Sequence, residues 1–359
     1  MSEIAGISPT VVGTSTGELN SLQSSDEFFR LSQRLEEQAP NAFCRCFRCI
    51  LLPLAVLLLL PLRLLMILVT FFFFWIVSHI SMLVGARSCN PCRTPDALTP
   101  HSRCQRAILR LNGLLCRKLL FWMGFLWVKI RRLPSDVPPG VVASSIVANH
   151  VSFVDGSFIG YVFGGQITAV GYRWVTRIPV ISALTRAHHV LGVSKERVAP
   201  APLTCEPSEA GNAKGELQKG RSATDTIVHY QCLRSENPRL FPLLVFPEGT
   251  TKAERCLLQF RTGAFVSGKP VQPVVLRFPN RYVDVSWVGS LPATAFRMLT
   301  QWMLFAEVLV LPVYVPDAAE RANARLYANG VQQAMARAMD LPEERYSSTK
   351  GVRELNRWL

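Results

Sequence analysis

In Val147-Ala148-Asn149-His150-Val151-Ser152-Phe153-Val154-Asp155, a largely apolar run that begins at Val141 ends in a histidine, and a carboxylate follows five residues later. An imidazole beside a carboxylate is a general base with its orienter. The carboxylate holds one tautomer and stabilises the ring once it has taken a proton. On a continuous helix the two side chains would project about 140° apart, so they meet only if a turn after His150 folds Asp155 back towards the ring. The expected context is therefore strand, turn, helix start. A single His–Asp pair at this spacing also arises by coincidence, and a second motif is what gives it weight.

That motif is Leu243-Leu244-Val245-Phe246-Pro247-Glu248-Gly249-Thr250. Again a short apolar run of strand type delivers an acid and a glycine to its carboxyl end, where open α/β sheets place their ligands. Two strands then converge on one site. Taken together, Asn-His-x4-Asp and Phe-Pro-Glu-Gly-Thr resemble the glycerophospholipid acyltransferase family. Gly263-Ala264-Phe265, Pro270 to Asn280, Leu311-Pro312-Val313-Tyr314 and Leu326-Tyr327-Ala328 are similar to its lysophosphatidylcholine acyltransferase branch. The resemblance runs from about Leu109 to about Tyr346.

This resemblance implies an α/β fold with a central mixed sheet flanked by helices. It also implies transfer of an acyl group from an acyl-coenzyme A co-substrate to a lysophospholipid, with no bound cofactor and no metal. His150 is then the base and Asp155 its partner. Glu248 and Gly249 bind the lysophospholipid or order the site, with a hydrogen bond from Glu248 to a glycerol hydroxyl or a basic side chain as the expected role. Thr250 supports the turn, and Asn149 positions His150 or contacts substrate. Further substrate contacts are expected at Lys195, where the branch has Val-Ser-Arg and this chain has Val193-Ser194-Lys195, and at Arg197. Read from the residues alone, those two cations are equally a solvated cluster at a loop edge. Thr251 stands where phosphatidate-forming relatives carry an arginine. That disfavours a bare phosphomonoester against a phosphodiester headgroup, so lysophosphatidylcholine is the expected acceptor. Lysophosphatidylethanolamine, lysophosphatidate and glycerol 3-phosphate are the alternatives. Two other classes stay in view: a catalytically silent membrane scaffold, and a serine hydrolase using Ser152 or Ser157, although neither serine lies in a Gly-x-Ser-x-Gly elbow.

The chain has 359 residues, of which 49% are hydrophobic, and a net charge of +14. Acidic residues Glu3, Glu18, Asp26, Glu27, Glu36 and Glu37 outweigh Arg30 and Arg34 in the first 42 residues, so the basic charge belongs to the body of the protein. A basic body beside an apolar segment suits anionic headgroups and the phosphates of coenzyme A. Nucleic acid is not an expected partner, because no interleaved aromatic and basic platform is present.

The elements that must position the two motifs follow from the pattern of the chain. Residues 1–42 read as a polar, acidic tail and residues 43–100 as a membrane-anchoring segment. In the latter, Leu64 to Val84 is uncharged apart from His79, and Arg63, Pro53 and Pro61 set Leu51 to Leu62 apart as a short interfacial helix or half of a re-entrant hairpin. Cys44, Cys46, Cys49, Cys89 and Cys92 flank it, as palmitoylation sites or free thiols, with a zinc site as the sharper alternative. An acyltransferase domain is expected over residues 101–346, interrupted by a surface-loop insertion at 198–221, and residues 347–359 form a tail. Within the domain, Ser102 to Arg132 has helical apolar spacing, Val283 to Val288 alternates like a strand, and Phe296 to Val310 and Ala318 to Met339 read as helices. The family resemblance places the protein in the endoplasmic reticulum membrane with its site facing the cytosol.

Overall fold

A computed structural model describes residues 52–88, 100–134, 137–138, 140–172, 179–193, 222–251, 257–279, 285–287 and 290–340. Among them, α1 spans Leu60–Ser88 and α2 Arg103–Trp122, followed by β1 at Phe125–Arg132 and β2 at Ser145–Ala148. Next come α3 at Asp155–Val162, β3 at Thr168–Tyr172, α4 at Pro179–Ala187 and β4 at Leu191–Val193. The chain continues through α5 at Ala223–Glu236, β5 at Leu243–Val245, β6 at Val271–Arg277, α6 at Leu291–Leu299 and β7 at Leu304–Val310, and the described part ends with α7 at Ala318–Ala322 and α8 at Ala324–Ala338.

The strands form one sheet in the order β1-β7-β6-β2-β5-β3-β4. β2 lies at its centre, parallel to both β5 and β6, while β7 runs antiparallel to β6 and carries β1 parallel to itself at the edge. The sheet is therefore mixed, as the motifs imply. Side-chain alternation splits the core into two layers. On one face Ile146, Ala148, Val274, Leu276, Ala306 and Val308 pack with Leu120 of α2 and with Phe158 and Ile159 of α3. On the other, Val147, Leu243, Val275 and Leu309 pack with Tyr230 of α5 and with Tyr327, Val331 and Met335 of α8. Because β2 is buried on both faces, its carboxyl end is held between two cores.

Four stretches differ from the sequence expectation. The helical spacing of Ser102 to Arg132 holds only to Trp122. Gly124 takes φ +102°, a conformation open to glycine, and the chain leaves as β1, whose Phe125 to Arg132 register against Leu304 to Val310. Phe296 to Val310 is likewise not one helix, since α6 stops at Leu299 and β7 follows. β7 is buried along almost all its length, and a strand covered on both faces is continuously apolar, so periodicity could not separate it from a helix. Ala318 to Met339 divides at Asn323, whose extended backbone breaks the helix and whose Oδ1 caps α8 by accepting from the Arg325 and Leu326 N–H groups. Residues 285–287, the described part of the fourth stretch, lie in no strand.

The apolar segment also behaves as one element. The chain is helical from Ala55 to Ser88 and passes through Arg63 without a break, so Leu51 to Leu62 forms neither a separate helix nor half of a hairpin among the described residues. A π-turn at Ala55–Leu59 precedes Pro61, which lacks the N–H that a regular ladder would need there. Ala55–Gly85 has a mean hydropathy of 2.6 and is the one described helix long and apolar enough to cross a membrane. Only 11% of its most apolar stretch is buried, with Phe74 and Val77 turned to the protein and Leu57, Leu68, Phe72 and Leu83 exposed. Arg63 is buried and donates to the carbonyls of Leu299 at 2.7 Å and Gln301 at 2.5 Å, which joins α1 to the end of α6. The tails, the juxtamembrane cysteines and the 198–221 segment lie outside the described residues, while the described Cys104 and Cys116 are free thiols.

Candidate active site

β2 ends at Ala148, and the next two residues are committed in different ways. Asn149 is fully buried and acts as an extra rung between strands: its Nδ2 donates to the Leu276 carbonyl at 3.0 Å and its Oδ1 accepts from the Leu276 N–H at 2.7 Å. An amide engaged in this way fixes where β2 stops and is turned away from substrate. His150 then projects at the sheet edge, with its side chain 23% exposed.

The turn required between His150 and Asp155 is present, and Asp155 begins α3. Its Oδ2 accepts three hydrogen bonds, from His150 Nδ1 at 2.9 Å, the Val151 N–H at 2.6 Å and the Ser152 N–H at 2.8 Å. The two N–H groups belong to the turn preceding α3, so one carboxylate oxygen both closes the turn and aims the ring. Burial pushes the Asp155 carboxyl above the usual carboxylate range, against the lowering effect of the His150 ring and the two N–H groups. The ring lies on Phe246 with centroids 4.2 Å apart and planes 15° apart. With Nδ1 bound to Asp155 and one face covered by Phe246, the ring has little freedom to turn. Nε2 is the nitrogen left for a reacting proton.

Glu248 comes from the end of β5 and is also buried. Oε1 accepts the His150 N–H at 3.0 Å and Oε2 accepts the Leu258 N–H at 3.0 Å. The carboxylate thus ties the β5 end to the β2 end and to the segment that follows. Sequence reasoning pointed Glu248 at a glycerol hydroxyl or a basic side chain, and the structure shows a backbone donor on each of its oxygens. Gly249, next in line, takes φ +70° and is exposed, as is Thr250. Thr251 donates its hydroxyl to the Trp287 carbonyl at 2.7 Å, and the Trp287 N–H donates to the Val151 carbonyl at 2.8 Å. Lys195 and Arg197 lie outside the described residues. Ser152 is completely buried, which leaves its hydroxyl poorly placed as a nucleophile.

The fold therefore brings His150, Asp155, Glu248, Gly249 and Thr250 to one edge of the sheet, with Asn149 beneath them. Phe246, quoted in the second motif without a role of its own, joins them, as do Leu258 and Arg261, which the sequence did not single out. Phe246 reads as one more apolar residue of a strand, and the part played by Leu258 is a backbone N–H that no side-chain pattern encodes.

A histidine held by a buried carboxylate at the carboxyl end of a central parallel strand, on a mixed α/β sheet, is an arrangement able to take a proton from a group brought against it. Residues 142–277, which contain His150, Asp155, Glu248, Gly249 and Thr250, match the Acyltransferase family, and this chain carries an acyltransferase domain. It is 32% identical over 314 residues to "Lysophospholipid acyltransferase LPCAT4" of Xenopus tropicalis, covering 86% of this chain and 53% of that protein. It is 30% identical over 250 residues to "Lysophospholipid acyltransferase LPEAT2" of Arabidopsis thaliana, covering 69% and 41%. Against "Lysophosphatidylcholine acyltransferase 2" of Homo sapiens the identity is 30% over 290 residues, covering 80% and 47%. The chain thus spans about half the length of the curated relatives it matches. The resemblance to the glycerophospholipid acyltransferases read from its motifs extends over most of its own length.

Proposed function

We propose that this protein is a membrane-bound acyltransferase that moves an acyl group from acyl-coenzyme A to the free hydroxyl of a lysophospholipid, with lysophosphatidylcholine as acceptor and phosphatidylcholine as product. The observation that carries the reading is the His150 Nδ1 to Asp155 contact at 2.9 Å at the head of β2, with Nε2 directed away from the carboxylate.

The chemistry follows from that geometry. The acceptor hydroxyl is a weak nucleophile, and Nε2 removes its proton as the oxygen bonds to the thioester carbonyl carbon. The imidazolium so formed is stabilised by the Asp155 carboxylate, whose Oδ2 already accepts from the ring. The tetrahedral oxyanion then collapses, the carbon–sulfur bond breaks, and the departing thiolate takes the proton back from His150. No acyl-enzyme is required. Glu248 and Asn149 act as positioning residues, since each holds backbone rather than substrate. The apolar helix α1 supplies the membrane attachment, and the endoplasmic reticulum with the site towards the cytosol is the proposed location.

The test supplies membranes carrying the protein with labelled acyl-coenzyme A and, separately, lysophosphatidylcholine, lysophosphatidylethanolamine, lysophosphatidate and glycerol 3-phosphate, with His150→Ala alongside. Label entering phosphatidylcholine in the wild type, and a loss of about 100-fold or more in the variant, is the expected result. Equal incorporation by both proteins for every acceptor would replace this mechanism with the silent scaffold.

A further inference from the structure

Building a Cβ on Gly249 would place it 2.6 Å from the guanidinium carbon of Arg261. That approach is closer than two atoms can share, so the guanidinium rests directly on the turn after Glu248 and a side chain at 249 would push it aside. Its own backbone is tied there too, because the Arg261 N–H donates to the Pro247 carbonyl at 2.9 Å. Pro247, Glu248 and Gly249 are thus held against one arginine, and the middle member of the three holds the backbone of His150.

The guanidinium itself is exposed and, among the described residues, makes no hydrogen bond or ion pair. Several other cations of the fold are engaged. Arg63, Arg117, Arg132, Arg234 and Arg325 all donate to backbone carbonyls, and Arg131 pairs with Glu307. An arginine that only stabilised the fold would be expected to spend its donors in the same way. Among the described residues of the turn, Thr250 is neutral, and Thr251 has committed its hydroxyl to Trp287. Gly249, lacking a side chain, leaves room for the guanidinium close against the backbone, and a planar fork of this kind matches phosphate oxygens in pairs.

We propose that Arg261 is the residue that recognises a phosphate group of substrate at this site. The proposal rests on the acyltransferase reading and deepens it. In a lysophospholipid the phosphate lies a few bonds from the hydroxyl that must reach His150, so a cation on the Glu248–Gly249 turn fixes the acceptor at its headgroup while the base works at its glycerol. Coenzyme A also carries phosphates, and kinetics separates the two sources.

Arg261→Ala and Arg261→Lys are assayed with each substrate varied in turn at saturating levels of the other. Loss of a charge-assisted contact predicts a KM raised roughly 10- to 100-fold in the alanine variant, with kcat changed far less, and partial recovery in the lysine variant, which keeps charge without the fork. A rise in KM for the lysophospholipid assigns the phosphate to the acceptor, and a rise for acyl-coenzyme A assigns it to the donor. Unchanged KM for both substrates in an active alanine variant overturns the proposal and leaves the acyltransferase reading standing. Absence of acyl transfer by the wild type with any lysophospholipid overturns both. Gly249→Ala provides a second route, since it displaces the guanidinium and should raise the same KM that Arg261→Ala raises.

Discussion

Glu248→Gln separates a residue that holds substrate from one that holds the backbone of His150. In the native site the two carboxylate oxygens each accept a backbone N–H at 3.0 Å, one from His150 and one from Leu258. Glutamine is the same size but keeps a single acceptor, and its amino group must face one of those N–H groups donor to donor. A buried N–H left without an acceptor costs roughly 1–3 kcal/mol, and the surviving bond loses its charge-assisted part. Relief by even 1 Å of movement at His150 would carry Nε2 off its line to the hydroxyl, and displacement of that size costs on the order of 100-fold in rate. The expected outcome is a kcat lowered about 10- to 100-fold, with acceptor KM nearly unchanged and a lower thermal midpoint. Steady-state kinetics for both substrates and a thermal-shift assay in detergent provide the readouts. A raised acceptor KM with kcat and thermal midpoint intact would refute this reasoning and return Glu248 to direct substrate binding.

Three further outcomes follow from the contacts. Asp155→Asn can keep an oxygen on the Val151 and Ser152 N–H groups but no longer provides the charge that stabilises a protonated His150. The fold should survive while kcat drops roughly 100-fold or more, and loss of the folded protein instead would show that the carboxylate serves the turn alone. His101, His188 and His189 form a second cluster, with the His101 ring stacked on His189 and Phe241, and burial lowers the pKa of each, to about 4 for His188 and His189. Since these folded values lie below the unfolded one, the neutral rings are compatible with folding above about pH 6.5, and stability is lost as pH falls from there towards 4. For His188 this amounts to roughly 3 kcal/mol, so His188→Gln should flatten the decline of the thermal midpoint over that window. Arg63→Leu makes α1 more apolar but strips the Leu299 and Gln301 carbonyls of their donor. Destabilisation of about 3 kcal/mol and earlier proteolysis near the α6–β7 junction are expected, and an unchanged midpoint would show that the contact carries no weight.

What the sequence by itself determined is the part that local chemistry encodes. His150 with Asp155, the Phe246-Pro247-Glu248-Gly249-Thr250 run, the central strands that carry them and the long apolar helix were all legible, because period-2 alternation, turn residues and unbroken hydrophobicity are properties of neighbours in the chain. The tertiary structure decided the rest. β7 depends on which faces are covered, and the strand at Phe125 depends on a partner almost 180 residues away. The use of Glu248 for backbone N–H groups, the pairing of Asn149 with Leu276 and the placing of Arg261 on Gly249 join separate stretches of chain. Such contacts are set by sheet order and register, and no spacing within a single stretch records them.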